Sequence, residues 1–235
     1  MSNTYFQFKQ FRIEQERCAM KVCTDSCIFG AYVSVKNANH ILDIGTGTGL
    51  LALMLSQRSE ASMDAIEIDP IAAEQAKENV INSPWRNRIH VLTMSIQEYQ
   101  VSANKKYDLV ISNPPFYSNS LKSEKEKINL AYHSTSLNMK ELVASVVSLL
   151  NTEGKFAVLL PPFESGLIRD VCASSGLYAE DILHIRDHDQ SGVLREITTF
   201  SFIEKSITSK ELIIKKEGQY SEAFINLLKP YYLNL

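Results

Sequence analysis

The sequence predicts an α/β protein: a doubly wound, mostly parallel sheet of seven strands with an antiparallel C-terminal hairpin and a small N-terminal cap. Three observations carry this. After residue 40, short apolar or β-branched runs alternate with helical patterns, the mark of a parallel sheet with crossover helices. The first run passes directly into a glycine-rich junction, "DIGTGTGL", and then an apolar helix. Near the end, "YAEDILHIRDH" and "EITTFSFIEK" are strand-like with only "DQSGVLR" between them, which implies an antiparallel hairpin, placed by this reading at the sheet edge.

Taken in order, the strands fall at about 40–44, 63–68, 89–94, 107–112 and 154–160, followed by the two strands of the hairpin. Helices fill about 48–58, 70–82, 137–150 and 163–175. Asp69 before Pro70 reads as N-cap and first-turn proline. Residues 1–39 do not fit the alternation. "YFQFKQFRIEQE" alternates like a strand or hairpin and "TDSCIFGAYVSVK" reads as a helix, with Thr24 and Asp25 as its N-cap pair. They form a cap over the sheet's ligand edge, and residues 40–235 form the main domain.

Composition narrows the class. The chain has 235 residues, 45% of them hydrophobic, enough for one domain with a sizeable core. It has no apolar run of about 18 residues and no secretory pattern at its start, so a cytoplasmic protein away from the membrane is expected. Cys18, Cys23, Cys27 and Cys172 read as free thiols, with no metal site. A net charge of −3 excludes a bulk electrostatic grip on nucleic acid but leaves room for a local basic face.

Open α/β sheets bind ligands beyond the carboxyl ends of their strands, where "DIGTGTGL" lies. Gly45, Gly47 and Gly49 let the backbone turn and let a ligand touch the main chain. A dinucleotide fingerprint reads G-x-G-x-x-G; here the last glycine falls one position early. Asp43 is unsuited to a pyrophosphate and suits a cationic amino group, so the loop fits an amino-acid zwitterion joined to a nucleoside. Glu67, at the end of the second strand, can accept both ribose hydroxyls, a reading favoured over that of a solvated strand-end carboxylate. "YDLVIS" then runs into Asn113-Pro114-Pro115-Phe116 at the same edge. Turn formation alone could explain two prolines, but glycine loop, ribose acid and this tetrapeptide together are far more specific.

"DIGTGTG", "EID" and "NPPF", in this order and spacing, resemble the class I S-adenosylmethionine-dependent methyltransferases, Rossmann-like enzymes, that act on exocyclic amino groups. "RCAMKVCTDSCIFGAYV" is similar to the N-terminal segment of the bacterial tRNA1(Val) (adenine(37)-N6)-methyltransferase family, which carries the phrase "MKVGTDG"; Cys23 and Ser26 stand where that phrase has glycines. The resemblance implies S-adenosyl-L-methionine as cofactor and tRNA as partner, with no obligate protein partner and a monomeric enzyme. It implies that the Asn113 side-chain oxygen and the Pro114 carbonyl accept the two N–H bonds of an adenine N6 amine. Pro115 locks the turn and Phe116 stacks on the extruded base. It places Lys21, Thr24, Asp43, Gly45, Thr46, Gly47, Gly49, Glu67, Ile68, Ser95, Ile96 and Asn113 around the cofactor. Ser95 stands where the family has an acid near the cofactor adenine, and a serine accepts more weakly.

Basic residues that could meet RNA are Lys9, Arg12 and Arg17, Lys122, Lys125 and Lys127, and Lys205, Lys210, Lys215 and Lys216. Arg86 and Arg88 are phosphate contacts or surface charge, and Trp85 packs against the third strand. His133 touches RNA or is merely solvated. Four other readings stand beside this one, among them a non-catalytic binding module that retains the fold, against which the intact NPPF argues. A protein glutamine N5-methyltransferase shares the NPP[FY] turn but needs a longer helical N-terminal domain. Another RNA or DNA amino-methyltransferase is a further alternative, with the restriction type disfavoured because the chain lacks room for a target-recognition domain. A nicotinamide oxidoreductase would need its third glycine at residue 50.

Overall fold

The computed structural model describes residues 3–18, 20–114 and 139–235. An N-terminal hairpin, β1 (Tyr5–Gln7) and β2 (Arg12–Glu14), precedes α1 (Thr24–Tyr32). The alternation follows: β3 (His40–Ile44), α2 (Leu50–Ser56), β4 (Ser62–Glu67), α3 (Pro70–Ile81), β5 (Ile89–Thr93), α4 (Ile96–Ser102) and β6 (Tyr107–Ser112). Next come α5 (139–149 among the described residues), β7 (Leu150–Leu160), α6 (Pro162–Ser174), β8 (Tyr178–His188) and β9 (Val193–Ser201). The chain closes with β10 (Thr208–Lys216), β11 (Gln219–Tyr220) and α7 (Glu222–Leu228).

The main sheet runs β11-β10-β8-β9-β7-β6-β3-β4-β5. Strands β3 to β7 are parallel to one another, and β9 is antiparallel to both β7 and β8. The seven expected strands are present, but β8 and β9 are not an edge hairpin. Strand β9 is inserted between β7 and β8, and β10 pairs with β8 in parallel. The sheet therefore has nine strands among the described residues. "LIIKK" and the residues before it gave too weak an alternation to show β10 in the sequence.

Both faces are covered, as a parallel sheet requires. In β3, Ile41 joins the core with α1, α2 and α7, while Leu42 and Ile44 join the core with α4, α5 and α6, the two-residue period of a strand. The N-terminal hairpin is continuous with the first core: Phe8, Phe11 and Ile13 pack there, and Trp85 meets Phe11 edge-on at 5.7 Å. Gly30 on α1 lets α2 approach, since a Cβ there would lie 2.8 Å from Met54 Sδ.

Helix α1 starts one residue earlier than its sequence suggests. Cys23, in extended conformation, is the N-cap, without a side-chain cap bond, and Thr24 is the first helical residue. Asp25 instead accepts from the Ser26 N–H at 2.9 Å and pairs with Arg195 Nε at 3.1 Å, pinning the start of α1 to β9. Asp69 caps α3 as expected, accepting from Ile71 N at 2.9 Å with Pro70 in the first turn. All four cysteines are free, and the described residues hold no helix long and apolar enough to cross a membrane.

Candidate active site

Strand register brings the site together. Ile44 pairs with Ile66 on β4 and with Ser112 on β6, so the next residues, Gly45, Glu67 and Asn113, stand level across three neighbouring strands. Neighbouring strands lie about 4.8 Å apart, so these three positions line one narrow strip of the carboxyl edge. The Ser112 hydroxyl donates to the Ile44 carbonyl at 3.0 Å and holds the two strand ends in place.

The glycine loop is latched from below. Gly45 N and Thr46 N both donate to the Ile66 carbonyl, at 2.9 and 3.0 Å. Gly45, Gly47 and Gly49 adopt φ of 72°, 56° and 81°, the left-handed region that a side chain disfavours. Beyond Gly45 and Gly47 a Cβ would meet nothing within 4 Å, so the loop presents bare backbone to the edge. Asn79, only 2% exposed, braces it from α3: its Nδ2 donates to the Thr48 carbonyl and the Glu14 carbonyl, each at 2.9 Å.

Asp43 is 1% exposed. Its Oδ2 accepts from Thr46 Oγ1 at 2.6 Å, while Oδ1 is buried without a partner. Burial pushes the carboxyl up to about 7; the Thr46 hydroxyl and, more weakly, the Ala52 backbone N–H oppose this, and the charge of Glu67 adds to it. A buried carboxylate with one idle oxygen is a socket for a cationic donor. Glu67 Oε2 accepts from Gly47 N at 2.9 Å and Oε1 from Asp69 N at 3.0 Å. Ile68 beside it is 70% exposed at this edge, an apolar face with no protein cover.

Asn113 follows β6. Its Nδ2 donates to Ser26 Oγ at 2.9 Å and lies 3.9 Å from Met20 Sδ; its Oδ1 is buried without a partner. Pro114 follows it in the chain, while Pro115, Phe116, His133, Lys122, Lys125 and Lys127 lie outside the described residues. Lys21, on the segment leading into α1, and Thr24, the first residue of α1, are exposed. Ile96 is partly buried against the α4–α6 core. Ser95 is the N-cap of α4: its Oγ donates to Glu98 Oε2 at 2.8 Å and accepts from Glu98 N at 3.2 Å. The "SIQE" spacing is a capping-box pattern that the sequence reading passed over.

Several basic residues offered for RNA are neutralised at home. Arg12 pairs with Glu14, Arg17 with Glu78, Lys205 with Glu180, Lys210 with Asp181 and Lys215 with Asp187. Lys9 donates to the Lys229 carbonyl. Arg88 donates to the carbonyls of Ser59 and Ser56, a structural role, whereas Arg86 is exposed. The reading missed Met20 and Asn79, and it noted Ser26 without its contact to Asn113; each acts across a tertiary contact that nothing local marks.

Solved structures share this architecture. A predicted O-methyltransferase from Agrobacterium tumefaciens superposes with a TM-score of 0.70 over 90% of this chain and 100% of that one, at 20% identity. A tRNA m1G37 methyltransferase from M. jannaschii gives 0.59 over 87% of this chain and 59% of that one, at 13% identity. The profile described as "Methyltransferase small domain" matches residues 19–161, spanning the glycine loop and NPPF. The molecule is thus a methyltransferase by family. A tRNA1(Val) (adenine(37)-N6)-methyltransferase from Cytophaga hutchinsonii is 42% identical over the full length of both chains, and one from Bacteroides fragilis is 40% identical over the full length of both. The chain belongs to the tRNA1(Val) (adenine(37)-N6)-methyltransferase family.

Proposed function

We propose that this chain transfers the methyl group of S-adenosyl-L-methionine to the exocyclic N6 of an adenine in tRNA, adenine 37 of tRNA1(Val) in keeping with the names of its relatives. The observation that carries the reading is the pair of buried, partnerless acceptor oxygens, Asp43 Oδ1 and Asn113 Oδ1, on one sheet edge. The first fits the ammonium of the cofactor's amino-acid end; the bare backbone of Gly45 and Gly47 fits its close approach. Glu67, with its carboxylate held by Gly47 N and Asp69 N, offers remaining lone pairs to ribose hydroxyls. Ile68 offers an apolar surface to the adenine ring.

Bound there, the cofactor supplies an electrophilic methyl group on a sulfonium. The chain's task is to aim the amine. An adenine N6 lone pair is delocalised into the ring and is a poor nucleophile. Asn113 Oδ1 accepts one N–H and the Pro114 carbonyl the other, which draws the nitrogen toward tetrahedral and points its lone pair along the transfer axis. Such positioned acceptors act mainly in the transition state.

The test is mass spectrometry of nucleosides from tRNA incubated with the protein and methyl-labelled cofactor. N6-methyladenosine is the expected product. Label found in a protein glutamine, with none in tRNA, would favour the glutamine N5 reading instead.

A further inference from the structure

We propose that Ser26 is a positioning residue for the methyl transfer: it fixes the Asn113 amide so that Oδ1, and not Nδ2, faces the substrate amine. The inference rests on the reading of Asn113 given above. An asparagine amide has two orientations related by a half-turn, and only one is useful here. The adenine amine presents two donors, and an amide turned the wrong way would oppose them with two more.

The surroundings of Asn113 select the orientation. Nδ2 donates to Ser26 Oγ at 2.9 Å and also lies 3.9 Å from Met20 Sδ. A thioether can only accept, so it favours the amide nitrogen. The Cys23 thiol bonds the Asp25 carboxylate, so its Sγ, 3.0 Å from Ser26 Oγ, is left to accept the serine hydroxyl proton, and the oxygen lone pairs face Asn113. Burial and the charge of Asp25 push the Cys23 thiol up, so it stays protonated and neutral beside Ser26. The serine itself is 4% exposed, on a helix start pinned through Asp25 to Arg195. With both ends of this chain of contacts held, Oδ1 is the atom left buried and idle.

The test compares Ser26→Ala, Ser26→Thr and Asn113→Ala in single-turnover methylation of tRNA, with cofactor affinity, KM for tRNA and melting temperature measured on each. Ser26→Ala should lower the single-turnover rate about tenfold, the scale of one well-placed hydrogen bond, with cofactor affinity and KM within about threefold. Ser26→Thr, which restores the hydroxyl, should return the rate to within about threefold of wild type. A wild-type rate for Ser26→Ala beside a disabled Asn113→Ala overturns the proposal and leaves the role of Asn113 standing. So does a loss that Ser26→Thr does not restore. A wild-type rate for Asn113→Ala removes the reading of the site itself, and the proposal with it.

Discussion

Gly47 N–H donates to Glu67 Oε2 at 2.9 Å, so one carboxylate both ends β4 and holds the middle of the glycine loop. A ribose bound at Glu67 would therefore share its acceptor with the loop that cradles the rest of the cofactor. Glu67→Ala should weaken S-adenosyl-L-methionine binding by about 1–3 kcal/mol, the scale of hydrogen bonds to a charged acceptor. Calorimetry reads the loss, and hydrogen exchange should speed up at Gly47 in the variant. A 2′-deoxy cofactor analogue bound by wild type as tightly as the natural one would contradict the ribose contact.

Asp43 gives a pH dependence with a defined sign. Its carboxyl is pushed up to about 7 from an ordinary 3.8, chiefly by burial. The folded protein keeps this proton where the unfolded chain has lost it. The stabilising contribution is thus full below about pH 3.8 and disappears as pH rises through about 7. A cationic ligand favours the ionised form, so cofactor affinity should fall as pH drops below about 7, with a proton released on binding. Calorimetry in two buffers of different ionisation enthalpy measures that proton. Asp43→Asn should bind weakly at every pH and release none.

Asn79 joins three parts of the chain: besides its two donations, its Oδ1 accepts from Glu14 N at 2.9 Å. Asn79→Ala would leave the buried Thr48 carbonyl and the β2 backbone without these partners. A loss of about 2–4 kcal/mol of stability is expected, read by denaturant unfolding. A change under about 0.5 kcal/mol, the range of an ordinary surface substitution, would show that the brace is unimportant.

Gly30→Ala tests the α1–α2 contact. The added Cβ would fall 2.8 Å from Met54 Sδ and 3.0 Å from Met54 Cβ, and only the thioether end can swing away. Overpacking of this kind costs about 1–3 kcal/mol, more than the helix propensity gained by alanine. Thermal unfolding should show a lower midpoint; an unchanged or raised one would mean that the helices part without strain.

What the sequence revealed depended on how local the determinant is. The glycine loop, the Asp69–Pro70 start of α3 and the parallel strands are written in neighbouring residues and were legible. Thr24 was misread as a cap because cap preference alone cannot show that Cys23 already occupies the extended position. The place of β9 between β7 and β8 depends on pairing between strands far apart in the chain, for which two-residue periodicity gives no signal. Lysines that looked available for RNA are paired with acids brought in by folding, as Lys210 is with Asp181 at 2.9 Å. Asn113 was found from its motif, but the contact that orients it comes from Ser26, 87 positions away.

The central claim is that Asn113 aims the amine while Asp43 and Glu67 hold the cofactor. Single-turnover methylation of tRNA by Asn113→Ala, paired with its cofactor affinity, tests this most directly. The rate should fall at least about a hundredfold, as loss of a transition-state acceptor does, while affinity stays within about threefold. A wild-type single-turnover rate in that variant would contradict the account.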